Sequence, residues 1–135
     1  MKKSLIISLM VAALVCVFCL PVVIAANAPE GSITIEVPAG AKATKTPVTF
    51  PHKAHVDSGI DCLVCHHKAK TPDDAKSCAS PGCHADASKA AKKEPTGFYS
   101  AFHSKKSKAS CLGCHKAEKK AGKNVPVSCK QCHPK

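Results

Sequence analysis

Cysteine and histidine are the residues through which this chain could do chemistry, and they fall into one repeated arrangement. Four times a cysteine pair is closed by a histidine: Cys62-Leu-Val-Cys65-His66, Cys78-Ala-Ser-Pro-Gly-Cys83-His84, Cys111-Leu-Gly-Cys114-His115 and Cys129-Lys-Gln-Cys132-His133. In C-x-x-C-H the two thiols add across the vinyl groups of a haem, and the histidine offers its imidazole to the iron. The second motif places four residues between its cysteines instead of two, which lengthens the clasp without changing its chemistry. Repetition makes the signal specific, and it predicts four covalently bound haem c groups.

Two rival readings use the same residues. Every cysteine beyond residue 25 belongs to a motif, so an exported protein could instead form a four-bridge disulfide scaffold. A histidine after each second cysteine has no purpose there. Four Cys₂His₂ zinc sites would also use all eight cysteines and eight histidines, but adjacent cysteine and histidine are awkward ligands for one tetrahedral ion.

A haem iron held by one histidine keeps a sixth position, whose occupant separates electron transfer from catalysis at iron. The only methionines, Met1 and Met10, lie in the leader, so they cannot serve the processed protein. Four histidines stand outside the motifs: His52, His55, His67 and His103. Four irons need four distal ligands, so the count closes. His52 and His55 sit three apart and share a face on a helical turn, from which they could reach two haems. His67 directly follows the proximal His66, and adjacent side chains diverge, so one short segment could serve two irons. Four bis-histidine sites would be closed to substrate and low in potential, the properties of a multi-electron carrier. The alternative is a multihaem reductase of a metal ion or small oxyanion, which requires an open iron.

The elements that must position these residues are short. Lys2 and Lys3 ahead of the apolar run Leu5 to Ile24, closed by Ala25, read as an export signal, with residues 1-25 cleaved and 26-135 forming a single domain. An uncleaved anchor is the alternative, since the run is long enough to span a bilayer. Cys16 and Cys19 read as apolar filler within it. Ser32 to Val37 alternates like a strand, Pro38-Ala39-Gly40 turns it, and Pro47 to Pro51 supplies a second strand, giving a small hairpin. Thr71-Pro72-Asp73-Asp74 reads as a helix start, and helices are expected over 85–93 and over 98–108, the latter presenting His103. The rest is expected to be loop. The processed chain has no tryptophan, one tyrosine (Tyr99) and three phenylalanines (Phe50, Phe98, Phe102), a thin stock for a core of this length. Four porphyrins would supply the interior. The fold class is therefore mainly α with much loop and a small N-terminal β-hairpin, its core formed by haem.

The chain carries 20 basic and 9 acidic residues for a net charge of +11. All the basic residues are lysines, and removing Lys2 and Lys3 with the leader brings the net to +9. Each haem with ionised propionates adds about −1 when ferric and about −2 when ferrous, leaving a moderately basic holoprotein of about +5 to about +1. Lys105, Lys106, Lys108, Lys116, Lys119, Lys120, Lys123, Lys130 and Lys135 cluster around the last two motifs, with Glu118 the only acid from Lys105 onward. This is either a solvated face or a landing ring for an acidic redox partner. Absent arginine, few aromatics and an exported destination argue against nucleic acid.

From about Thr46 to the C-terminus the chain resembles the class III tetrahaem cytochromes, the cytochrome c-three family of sulfate-reducing bacteria. The resemblance lies in the motif order, the His-x-x-His pair after Pro47-Val48-Thr49-Phe50, the Cys-His-His run, the long second motif and a lone histidine ahead of the third. It implies a compact periplasmic fold of short helices and loops around four closely spaced haems, with proton uptake linked to reduction; a monomer is expected. It further implies that His52 completes the iron held by His66, His67 that of His84, His55 that of His115 and His103 that of His133. The implied partners are a periplasmic hydrogenase and membrane-bound cytochrome redox complexes, in sulfate respiration. The fourth motif here is Cys129-x-x-Cys132, where many members have the longer spacing. Since that haem is the usual hydrogenase docking point, either partner remains open.

Overall fold

A computed structural model describes residues 28–135; the expected leader lies outside them. The first strand, β1 (Ser32–Ile35), pairs antiparallel with β2 (Val48–Pro51), with Ile33 opposite Phe50 and Ile35 opposite Val48. The expected hairpin is thus present, but its strands are joined by a long excursion from Glu36 to Pro47. Within that excursion the Ala41 N–H donates to the Pro38 carbonyl at 3.0 Å, and Gly40 takes φ 82°, a conformation that favours glycine. Strand β2 runs straight into α1 (His52–Asp57), so the pairing fixes where His52 and His55 begin.

Three further helices are built on the motifs themselves: α2 (Cys62–Cys65), α4 (Cys111–Lys120) and α5 (Cys129–Cys132). The expectation of loop here was wrong for a physical reason. A C-x-x-C-H clasp needs three side chains at i, i+3 and i+4 on one face, and that spacing is one helical turn. The residue before each first cysteine is Asp61, Ser77, Ser110 or Ser128, and each engages the turn it opens. Asp61 accepts the Leu63 N–H at 2.7 Å, Ser77 the Ala79 N–H at 3.4 Å and Ser110 the Gly113 N–H at 3.1 Å. The Ser128 N–H and hydroxyl both donate to the Gln131 side chain. These are N-cap contacts or their turn equivalents.

The other helical expectations are shortened. Thr71 does start a turn, its N–H and hydroxyl donating to Asp74, but only a 3-10 turn over Pro72–Asp74 follows. Of the helix expected over 85–93 only a 3-10 turn at Ala90–Lys93 forms. Asp86 instead accepts the Ser88 N–H on its side chain and the Phe98 N–H on its carbonyl, which draws the backbone into a bridge with Gly97. The helix expected over 98–108 is α3 (Phe98–His103). It stops because the Ser104 carbonyl accepts the Ser110 hydroxyl and the Ser104 hydroxyl accepts the Ser107 N–H, both further along the chain.

Among the described residues only Ala91, Gly97, Ser110 and Gly113 are buried. A chain of this length that buries one alanine as its apolar core cannot offset its conformational entropy by packing on itself. No helix among the described residues is long and apolar enough to cross a membrane. Produced without haem attachment, the chain should show no cooperative thermal transition by circular dichroism, whereas the haem-loaded form should. Gly97→Ala should destabilise the loaded protein by about 1–3 kcal/mol in a denaturant titration, because an added Cβ would run into the Ala91 carbonyl.

Candidate functional site

The motif backbones close in a common way. The His66 N–H donates to the Cys62 carbonyl at 2.9 Å and the His133 N–H to the Cys129 carbonyl at 2.8 Å, while Cys111, Cys114 and His115 share the first turns of α4. In the second motif the His84 N–H reaches the Cys78 carbonyl at 2.9 Å in spite of the two extra residues. Ser80, Pro81 and Gly82 are looped out to permit it, with Gly82 at φ 80° and the Cys83 N–H on the Ser80 carbonyl at 3.0 Å. The longer spacing therefore ends in the same relation between first cysteine and histidine.

The eight imidazoles meet in four pairs. Ring centroids lie 6.3 Å apart for His52 and His66, 5.7 Å for His67 and His84, 6.0 Å for His55 and His115, and 6.1 Å for His103 and His133. The last two pairs are close to parallel, at 20° and 8°. His67 and His84 turn the same nitrogen, Nε2, toward each other at 3.5 Å. The neighbours His66 and His67 thus face different partners, and so do His52 and His55 on α1.

Backbone carbonyls hold the rings. Nδ1 of His55 lies 3.0 Å from the Pro51 carbonyl, that of His66 3.1 Å from Lys76, that of His103 3.0 Å from Tyr99, that of His115 2.9 Å from Pro126 and that of His133 2.7 Å from Thr46. An imidazole whose Nδ1–H donates in this way carries its lone pair on Nε2, the tautomer that binds a metal. The carbonyl acceptors were not anticipated from sequence. Two of them lie four residues before their histidine, a spacing that helices α1 and α3 provide; the others come from remote segments. Nδ1 of His52 and of His84 is buried with no hydrogen-bond partner among the described residues. Tyr99 lies flat on His103, with centroids 4.2 Å apart and planes at 6°, and Lys92 Nζ stands 4.9 Å above the tyrosine ring. Phe50 packs on both His52 and His55.

The donor set fits haem iron. Two metal–imidazole bonds of about 2 Å each, plus about 1 Å from nitrogen to ring centre, set opposed rings about 6 Å apart, close to all four observed separations. Imidazoles meeting in twos do not make the tetrahedral set that zinc prefers, and no cluster of three or more metal-binding side chains occurs among the described residues. Burial lowers the pKa of His52, with His66 and His55 adding to the effect. Burial also lowers that of His103, against the Tyr99 carbonyl that raises it. Both are held toward the neutral, ligating form. None of the eight described cysteines is joined to another in a disulfide. Cys111 keeps solvent contact, yet the atoms around its sulfur desolvate it enough to push its thiol up to about 11. Desolvation likewise raises Cys65, Cys78 and Cys132. Surroundings that disfavour a thiolate suit an uncharged thioether.

Known proteins share this layout. The sequence profile of the Class III cytochrome C family matches residues 29–133. Cytochrome c3 of Maridesulfovibrio salexigens is 52% identical over 109 residues, covering 81% of this chain and 97% of that protein. Cytochrome c3 of Desulfovibrio desulfuricans is 47% identical over 109 residues, covering 81% and 98%. The crystal structure of the di-tetraheme cytochrome c3 from Desulfovibrio gigas superposes with a TM-score of 0.66 at 32% identity, over 79% of this chain and 96% of that one. With four repeated clasps, a hairpin leading into paired histidines and a match across nearly all described residues, this chain belongs to the class III cytochrome c family, multihaem electron carriers with four covalently bound c-type haems.

Proposed function

We propose that this protein is a periplasmic, low-potential electron carrier of anaerobic sulfate respiration and not an enzyme. A leader of residues 1-25 is removed, and residues 26-135 act as one soluble, monomeric domain. Thioethers form at Cys62 and Cys65, Cys78 and Cys83, Cys111 and Cys114, and Cys129 and Cys132. The irons are held by His66 with His52, His84 with His67, His115 with His55 and His133 with His103. The observation that carries this reading is the meeting of every motif histidine with one histidine from outside the motifs, at about the separation a single ion requires.

Bound haem supplies reversible one-electron exchange between ferric and ferrous iron. The residues do the rest. With two histidines per iron, the haems would have no position free for a substrate, and their potentials would lie below those of methionine–histidine ligation. Carbonyls on Nδ1 make the rings more basic and fix their orientation. The adjacent His66 and His67 tie the first site to the second, and His52 and His55, three apart on α1, tie the first to the third, so these residues would hold neighbouring haems close enough for electron exchange. The lysines around the last two motifs would receive an acidic partner, a periplasmic hydrogenase or a membrane-bound cytochrome complex. In support, Glu118, the one acidic residue from Lys105 onward, is already paired with Lys123 at 2.5 Å.

Reduced wild-type protein should show no fast carbon monoxide binding, and His103→Ala should bind it at one haem of four in a visible spectrum; fast binding by the wild type would sink the bis-histidine reading. Replacing Lys105, Lys106 and Lys119 by glutamate should slow reduction by the true partner on the order of tenfold at low salt, with an unchanged spectrum. Reduction rates indifferent both to salt and to these changes would remove the landing ring.

A further inference from the structure

Ser110 is the most buried side chain among the described residues, at 2% exposure, although it is polar. Its hydroxyl accepts the Gly113 N–H at 3.1 Å, as a helix cap does. It does more than a cap. The same hydroxyl donates to the Ser104 carbonyl at 2.5 Å, with the Ser107 carbonyl at 3.0 Å as a second acceptor. Ser104 directly follows His103 and closes α3, its N–H bonded to the Ser100 carbonyl at 3.0 Å. Gly113 lies between Cys111 and Cys114 of the third motif. The loop that carries Lys105, Lys106 and Lys108 leaves no room between these parts, since a Cβ at Gly113 would run into the Ser107 and Ser104 carbonyls.

We propose that Ser110 is a positioning residue for the fourth haem: its single hydroxyl fastens the helix bearing His103 to the clasp of the third haem, and so sets the stance of the His103 ring. The inference rests on the assignment of His103 and His133 to one iron. His103 has little freedom of its own, because its Nδ1 is bonded to Tyr99 within α3 and its ring lies flat on the Tyr99 ring. Where α3 ends therefore decides where the ring stands, and the ring stands 8° from parallel with His133. A cap needs only an acceptor, and Asp61 meets that need at the first motif with a carboxylate. Position 110 needs acceptor and donor together, which a hydroxyl provides and an ionised carboxylate does not. The third and fourth sites, unlike the first and second or the first and third, share no adjacent or near-adjacent histidines. The hydroxyl takes the place of that missing link.

The test uses Ser110→Ala, Ser110→Thr and Gly113→Ala in the haem-loaded protein, with mass spectrometry, electron paramagnetic resonance and a redox titration resolved by haem. Ser110→Ala is expected to keep four haems while the low-spin signal and midpoint potential of the fourth shift beyond error and those of the first and second do not. Ser110→Thr, which keeps the hydroxyl, should return the fourth site toward wild type. Gly113→Ala, which keeps the hydroxyl but wedges the loop, should disturb the same haem. A Ser110→Ala protein with four haems and unchanged signals and potentials overturns the proposal, as does an equal shift of all four. Loss of the third haem alone would make Ser110 a cap of its own motif and nothing more, which also overturns it. Failure of the underlying assignment looks different: the wild type itself would then lack a bis-histidine signal at the fourth haem.

Discussion

A histidine ring holds one nitrogen toward a metal more firmly when its other nitrogen is restrained. Here five of the eight rings are restrained by a backbone carbonyl on Nδ1, and the remaining architecture follows from supplying those carbonyls. Helices α1 and α3 supply them locally, one turn before His55 and His103. The segments at Lys76, Pro126 and Thr46 supply them from a distance, which explains why loops with little regular structure are nonetheless specified. Each such bond also favours the tautomer that ligation demands.

The second constraint is scarcity of apolar side chains. With Ala91 as the one buried apolar side chain among the described residues, backbone contacts at Gly97 and Gly113 do the close packing, and both positions exclude a side chain. Hydrogen bonds at Asp86, Ser104 and Ser110 then set the local path of the backbone. Polar networks of this kind specify one arrangement only when every member is satisfied, and the doubly bonded Ser110 hydroxyl is the most buried instance.

Much of the site was legible because its chemistry is periodic. Four clasps, four spare histidines and the absence of methionine after Met10 are facts of sequence, and the strand before His52 was visible in Pro47-Val48-Thr49-Phe50-Pro51, stopped by its proline. The helices of the motifs were not read, although the i, i+3, i+4 spacing of C-x-x-C-H encodes them and a serine or aspartate before each first cysteine marks their start. The segment 85–93 misled in the opposite sense: its alanines and lysines favour a helix, but Asp86 diverts the backbone to Phe98. The carbonyl tethers of His66, His115 and His133 had no local signature, since their acceptors depend on tertiary placement.

The bond from His133 to the Thr46 carbonyl joins positions 87 residues apart. By contrast, His52 with His66 and His67 with His84 draw on stretches that emerge early from the ribosome. The far end of the polypeptide thus locks onto the segment just ahead of β2, which ties the fourth clasp to the strand pairing that leads into His52 and His55.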